Sequence, residues 1–245
     1  MREYSRRGAL WTGLATLGAV ATAGTGAAQA ATNPSPAASS SPVKLTPAQA
    51  WAKLWRGNRH WIAGRLQHPH QTVQRRTEVA QAQSPFAAVV TCIDSRISPE
   101  IVFDQGIGDL FCLRTGAHTV DGLVTASIEY GPVENGTPLI VVMGHQRCGA
   151  VKAAVEAIES GHHLPGHLDE IVSALRGAYE EAAGQGGDIV DKTVRAHTLR
   201  TVNDLAADDV LASLIEKGEL GIAGTYYSLD TGQVSLLKAV GFNPS

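Results

Sequence analysis

The sequence has few cysteines and no excess of either charge. Its 245 residues include only three cysteines, an odd number, whereas small disulfide-stabilised domains have an even number in a shorter chain. The formal net charge is -3, and acidic and basic residues are mixed along the chain, so no basic stripe indicates a nucleic-acid partner. No internal repeat is present. These absences exclude disulfide scaffolds, polyanion binders and repeat proteins, and the thiols need another explanation.

The first residues have the pattern of an export signal. Arg6 and Arg7 precede an uncharged run over residues 9–31, and Ala28-Gln29-Ala30 matches the small-x-small pattern of a cleavage site. The arginine pair resembles the twin-arginine signal, and the weakly hydrophobic run favours that route over an ordinary secretory signal or an uncleaved anchor. We therefore expect a periplasmic or extracellular protein that keeps no stable membrane anchor after cleavage.

The chain then divides into a linker and one domain. We expect the export signal to cover residues 1–30, and a flexible linker rich in Ser, Pro and Ala to cover residues 31–44. Residues 45–245 are expected to form a single domain, because the length and the 44% hydrophobic content of the chain suffice for one sizeable core.

Short apolar runs predict a mainly parallel β-sheet. Continuous apolar runs, without alternating polar residues, are typical of strands buried on both faces. Helical patterns lie between and after these runs, which predicts the α/β class with helices flanking the sheet. The predicted strands are residues 86–91, 110–113, 139–143, 220–228 and 233–237, and the predicted helices are one that opens at Thr46-Pro47, then residues 123–130, 150–160, 194–205 and 208–217.

Two motifs with metal-binding side chains follow two of the predicted strands. Cys92-Ile93-Asp94-Ser95-Arg96 follows the first apolar run, and Gly144-His145-Gln146-Arg147-Cys148-Gly149 follows the run that ends at Met143. In parallel sheets, ligands collect at the carboxyl ends of the strands. The two motifs can therefore face each other across one crevice although they are far apart in the sequence.

Together the motifs offer Cys92, His145 and Cys148 as ligands of one metal ion. Two thiols and one imidazole with an open fourth position form a catalytic zinc pattern, whereas structural zinc sites have four protein ligands. Cys148 precedes a predicted helix, whose positive N-terminal end favours the thiolate that zinc requires. A lone cysteine in a strand is more often a core residue, and Cys112, which has no motif around it, is predicted to be one.

The two motifs resemble the signatures of beta-carbonic anhydrases. The similarity begins near Trp51 and includes, in the same order, Pro99-Glu100, Gly108-Asp109-Leu110-Phe111 and Ser127-Ile128-Glu129-Tyr130. The resemblance implies an enzyme whose fold is a mainly parallel sheet flanked by helices. It also implies that the enzyme reversibly hydrates carbon dioxide to bicarbonate and a proton.

The resemblance implies roles for particular residues. Zinc is expected on Cys92, His145 and Cys148, and the pair of Asp94 and Arg96 is expected to control the fourth ligand of the metal. Two thiolate ligands make zinc a weaker Lewis acid than three neutral imidazoles do, so we expect activity to rise toward alkaline pH.

Further expectations concern the substrate and the assembly. Gln83 stands where plant-like members carry a glutamine that hydrogen-bonds the substrate oxygen, and Gly149 offers a backbone N–H near the same place. Relatives form dimers or higher assemblies, so a homodimer or homotetramer is expected. Trp51, Trp55 and Trp61 are then either interface anchors or helix-core residues.

Other interpretations of the same residues stay open. The fold and the zinc also suit a hydrolase of carbon disulfide or carbonyl sulfide, and an inactive zinc-binding scaffold needs the metal alone. Asp94 and Arg96 argue against the scaffold, which has no use for them. A redox-sensing thiol protein would instead join Cys92 to Cys148 in a labile disulfide. His118, where many members of the family have asparagine, is a candidate proton relay.

Overall fold

The computed structural model describes residues 44–245. The export signal predicted at residues 1–30 and all but the last residue of the linker predicted at residues 31–44 lie outside the described residues. Within residues 44–245, no helix combines the length and the hydropathy that a membrane span requires.

Strands and helices follow one another in the order expected of an α/β protein. The strands are β1 Ala87–Cys92, β2 Leu110–Thr115, β3 Leu139–His145, β4 Gly221–Tyr227 and β5 Val234–Val240. The helices are α1 Pro47–Ile62, α2 Val73–Glu78, α3 Pro99–Val102, α4 Gly122–Asn135, α5 Gly149–Ser160, α6 Leu168–Ala182, α7 Ile189–Ala207 and α8 Asp209–Glu216, and Gly116–His118 form a 3₁₀ turn.

The five strands form one sheet in the order β2-β1-β3-β4-β5. All pairs are parallel except β4 with β5, which are antiparallel and follow each other through a short turn. The predicted fold class, a mainly parallel sheet flanked by helices, is confirmed.

Two apolar clusters cover the two faces of the sheet. Successive side chains of β3 alternate between them, because neighbouring residues of a strand point to opposite faces. Helices α1, α5 and α6 pack on the face that carries Val141, whereas α4 and α8 pack on the face that carries Val142. Burial on both faces explains why β1, β3 and β4 have almost no polar residues.

Helix α1 begins as the sequence predicts. The Thr46 side chain accepts a hydrogen bond from the Gln49 backbone N–H, and the Gln49 side chain accepts one from the Thr46 N–H. This reciprocal pair satisfies backbone donors that a helix start leaves free, and Pro47 has no N–H to satisfy. Trp51 is buried, whereas Trp55 is 37% exposed. The described chain therefore covers one tryptophan and leaves the other accessible.

The sequence-based expectations for Cys112 and for some of the helices differ from the structure. Cys112 is exposed, so its prediction as a core residue is wrong. The reason is that β2 lies at the edge of the sheet, where one face is only partly covered. Helices α2, α3 and α6 were not predicted, although Val172, Leu175, Ala178 and Ala182 give α6 a buried stripe at helical spacing.

Candidate metal centre

The three predicted metal ligands meet at the carboxyl edge of the sheet. Cys92 ends β1, His145 ends β3, and Cys148 is the residue before the first turn of α5. One ligand atom from each residue lies within 4.8 Å of the ligand atoms of the other two. All three side chains are buried, so the cluster is shielded from bulk water.

Strand pairing explains this meeting. Strands β1 and β3 are adjacent and parallel, with Thr91 opposite Met143, so both strands end at the same edge. The chain leaves β3 at His145 and enters α5 at Gly149, which brings Cys148, the residue before the helix, back to the same place. The backbone N–H groups of Ala150 and Val151 point at the Cys148 sulfur and favour its thiolate.

The sulfur geometry fits a tetrahedral metal ion. The Sγ atoms of Cys92 and Cys148 are 3.8 Å apart, and both cysteines are free. Two sulfurs bound to zinc at about 2.3 Å and a tetrahedral angle are about 3.8 Å apart. The contact with Cys148 lowers the pKa of Cys92 to about 4 and raises the pKa of Cys148. The cluster alone therefore stabilises one thiolate, and a second one at this distance requires a cation.

The His145 ring is oriented for a metal. Its Nδ1 lies 3.0 Å from the Gln146 carbonyl oxygen, and we assign the proton to Nδ1 because a carbonyl can only accept. The Nε2 atom is then an unprotonated acceptor, and it is buried with no hydrogen-bond partner among the described residues. A buried acceptor without a partner is costly, and a metal ion would satisfy it.

Asp94 and Arg96 form the predicted pair beside the cluster. Arg96 donates from Nε to Asp94 Oδ1 at 2.9 Å and from Nη2 to Oδ2 at 2.6 Å, and its backbone N–H donates to Oδ1 at 3.0 Å. Asp94 Oδ2 is also 3.9 Å from His145 Nε2. The hydrogen bonds from Arg96 lower the pKa of Asp94 to about 2, so this group is a carboxylate at neutral pH.

Sequence reasoning missed the structural role of Arg114. It lies on the edge strand β2 and donates from Nε to the Cys92 carbonyl at 3.1 Å and from Nη2 to the Asp94 carbonyl at 2.6 Å. These hydrogen bonds hold in place the backbone that carries the metal ligand Cys92 and the carboxylate of Asp94. The only signal in the sequence was a charged residue within an apolar strand.

The other predicted site residues lie in different places. Gly149 is the exposed first residue of α5, directly beside Cys148, and its N–H is one that a helix start leaves without an intrahelical partner. Gln83 is exposed and precedes the start of β1, whereas Cys92 is the last residue of that strand. The six residues of β1 put about 17 Å of strand between Gln83 and the cluster. Within this chain, Gln83 does not reach the metal centre.

His118 is close to the cluster but inaccessible. It is fully buried, its Nε2 lies 3.3 Å from the Thr198 hydroxyl, and its ring centroid is 4.6 Å from that of His197. Burial lowers the pKa of His118 well below its ordinary value, so the ring is neutral. A buried, neutral ring cannot exchange protons directly with solvent, so the structure does not support His118 as a proton relay.

The chain is similar to a known family and to characterised proteins. The sequence model of a family described as carbonic anhydrase matches residues 87–234. Carbonic anhydrase 2 of Mycobacterium tuberculosis is 40% identical over 196 residues, which cover 80% of this chain and 95% of that protein. A carbonic anhydrase of Mycolicibacterium smegmatis is 39% identical over the same shares of both chains.

Solved structures share the fold. A Coccomyxa beta-carbonic anhydrase in complex with acetazolamide is 25% identical, with a TM-score of 0.59 over 67% of this chain and 78% of that one. A tetrameric beta-carbonic anhydrase from Sordaria macrospora is 23% identical, with a TM-score of 0.62 over 76% of this chain and 95% of that one.

Proposed function

The chain belongs to the beta class of carbonic anhydrases, which are lyases, and we propose that it uses zinc to interconvert carbon dioxide and bicarbonate outside the cytoplasm. The observation that carries the zinc proposal is the buried set of two sulfurs and one imidazole, with an unpartnered His145 nitrogen. Three protein ligands leave one position of a tetrahedral ion for water, which is the catalytic form of a zinc site.

The proposed ligands are Cys92, His145 and Cys148. Their chemistry favours zinc, because thiolate and imidazole are the donors that zinc binds in proteins. Zinc bound there would supply Lewis acidity, which lowers the pKa of a water molecule and makes it a nucleophile near neutral pH. The hydrogen bond from His145 Nδ1 to the Gln146 carbonyl keeps the other ring nitrogen available to the metal.

Asp94 is proposed to orient the reacting water. As a carboxylate with a pKa of about 2, it can accept a hydrogen bond and cannot donate one. A water that donates to Asp94 directs its lone pair away from the carboxylate, toward the carbon atom of the substrate. Arg96 keeps the carboxylate in this position, because its two bonds oppose a rotation of Asp94 toward the metal ligands.

We propose substrate contacts for Gly149 of the same chain and for Gln83 of the partner subunit. The Gly149 N–H lies next to Cys148 at the positive end of α5 and would donate to a substrate oxygen. Gln83 of the same chain is too far from the cluster, so its role requires a homodimer or homotetramer in which one subunit completes the site of another. The tetrameric Sordaria relative supports such an assembly.

Exposed apolar surface on α1 also supports an oligomer. A cavity of about 500 Å³ opens between this helix and the end of the chain, where Trp55 contributes half-exposed apolar surface. Apolar patches of this kind are common at contacts between subunits. Trp51 is buried against Phe242, so it belongs to the core of its own chain.

Export is proposed from the sequence of residues 1–30. Expressing the full chain beside a variant with Arg6→Lys and Arg7→Lys tests the twin-arginine route. We expect the wild type outside the cytoplasm and shortened at its N-terminus, and the variant inside and uncleaved. Equal export of both would contradict the twin-arginine route, and uncleaved wild type in the cytoplasm would contradict export itself.

The enzyme proposal is tested on Asp94→Asn. Zinc content and stopped-flow hydration of carbon dioxide are measured for the wild type, this variant and Asp169→Asn, which alters an exposed ion pair with His163 away from the cluster. We expect one zinc per chain in all three proteins, and strongly reduced hydration only in Asp94→Asn. A wild type with full zinc and no hydration would favour the hydrolase of carbon disulfide or carbonyl sulfide, or the inactive scaffold. A wild type without zinc but with a Cys92–Cys148 disulfide would favour the redox protein.

A further inference from the structure

The two residues between His145 and Cys148 determine where these ligands lie. Arg147 has a φ of 52°, in the left-handed region that residues other than glycine rarely adopt. The Gln146 carbonyl is the acceptor that orients the His145 ring. Residues 145–148, the ligand turn, therefore hold an uncommon backbone conformation that other contacts must maintain.

Asp230 binds both side chains of that turn. Its carboxylate accepts from Gln146 Nε2 at 2.8 Å and from Arg147 Nη1 and Nη2 at 3.0 and 2.7 Å. The Asp230 backbone N–H donates to Gln146 Oε1 at 3.3 Å, and the Ser228 hydroxyl donates to the same oxygen at 3.4 Å. One residue from the β4–β5 turn thus binds both side chains that lie between the two ligands.

The β4–β5 turn is itself anchored to the core. Asn58 of α1, which is 1% exposed, donates from Nδ2 to the carbonyls of Gly232 at 2.8 Å and Val102 at 3.1 Å. Its Oδ1 accepts from the Val234 N–H at 3.0 Å. These hydrogen bonds fix the position of the β4–β5 turn, which carries Asp230, relative to α1 and α3.

We propose that Asp230 is a positioning residue for the metal centre, because it holds the ligand turn in the conformation that places His145 and Cys148 on one zinc ion. The proposal rests on the proposed function, since it takes zinc as the metal. The ion pair between Asp230 and Arg147 is exposed on both sides, and such pairs contribute little to global stability. Its effect is therefore expected in metal affinity more than in the stability of the fold.

The test compares Asp230→Ala with Glu181→Ala, which removes an exposed carboxylate that pairs with Arg200 and forms no hydrogen bond with the ligand turn. Zinc dissociation constants are measured by competition with a chromophoric chelator, and the cobalt-substituted proteins give absorption bands that report ligand geometry. We expect zinc binding about tenfold weaker in Asp230→Ala, at the low end of the roughly 10- to 100-fold effect of losing a direct partner of a metal ligand, because Asp230 acts through Gln146 and Arg147. We also expect altered cobalt bands in that variant, and wild-type values in Glu181→Ala.

Removing Asp230 also removes a negative charge near the metal centre, which could weaken zinc binding by itself. Repeating the competition in 0.5 M salt tests this, because roughly molar salt shortens the electrostatic screening length to a few ångströms. A tenfold difference that persists in salt supports positioning. Zinc binding of Asp230→Ala within twofold of wild type, unchanged cobalt bands, or an effect that disappears in salt would overturn it. If the wild type binds no zinc, the proposed function is wrong as well. If the wild type and Asp230→Ala both bind zinc tightly, only the role of Asp230 is wrong.

Discussion

Replacing Arg96 with glutamine is expected to free the carboxylate of Asp94. The guanidinium donates to both carboxylate oxygens, at 2.9 and 2.6 Å, and also donates to the Arg147 carbonyl at 3.1 Å. Glutamine cannot reproduce this charged, two-point contact. The released carboxylate can then rotate toward His145 Nε2, which is 3.9 Å from Oδ2, and occupy the position that water needs.

The size of the effect follows from the pKa of Asp94. A fall from the ordinary value of 3.8 to about 2 corresponds to at most about 2.5 kcal/mol in favour of the anchored carboxylate. Arg96 is 49% exposed, so solvent screens the pair and about 1 kcal/mol is the more realistic figure. A range of about 1–2 kcal/mol corresponds to a roughly five- to thirtyfold loss of kcat/KM for carbon dioxide hydration.

Stopped-flow hydration and zinc content of Arg96→Gln give the first measurement, with Arg200→Gln as the control because it breaks an exposed ion pair elsewhere. We expect Arg96→Gln to keep its zinc and lose activity, and the control to keep both. Full activity in Arg96→Gln would refute the role of the pair in holding Asp94.

The same pair makes a prediction about stability and pH. A carboxyl group with a lowered pKa in the folded state stabilises the protein fully above its ordinary pKa, near 4, and this contribution is lost as the pH falls through about 2. The difference in unfolding free energy between wild type and Arg96→Gln should therefore be largest at neutral pH and shrink below pH 4. Denaturant titrations of the metal-free proteins between pH 7 and pH 3 measure it, and a constant difference would contradict the assignment.

Three further predictions concern the ligands, the pH profile and the packing. Cys92→Ser should lose zinc and activity, whereas Cys112→Ser, on the exposed edge strand, should keep both by metal analysis and stopped-flow assay. Hydration should rise from pH 6 to pH 9 when chemistry limits the rate, because two thiolates weaken the Lewis acidity of zinc, and a flat profile would refute this. Gly144→Ala would place a methyl group 2.5 Å from the Thr198 hydroxyl, so thermal or denaturant unfolding should show a loss of about 1–3 kcal/mol. Gly122→Ala, where the added carbon meets nothing within 4 Å, should unfold like the wild type.

The fold and the core of the candidate site were predictable because their signals are local. Continuous apolar runs identified the strands, and the carboxyl ends of adjacent parallel strands meet at one edge whatever the details of packing. Cys92 and His145 follow from that rule, and Cys148 follows from its position three residues later. Asp94 and Arg96 are two residues apart, so their pairing also required no knowledge of distant segments.

Only the tertiary structure decided the features that depend on distant segments. The apolar run around Cys112 predicts a buried strand, but the order of the sheet places it at the edge and leaves the thiol exposed. Gln83 was assigned by its position before Cys92 in the sequence, yet β1 separates the two residues and places them at opposite ends of the strand. The contacts of Arg114 and Asp230 join residues that are at least 20 positions apart in the chain. A sequence determines which side chains can bind zinc and which segments become strands, whereas the order of the strands decides which of those side chains meet, because strand order is set by long-range packing.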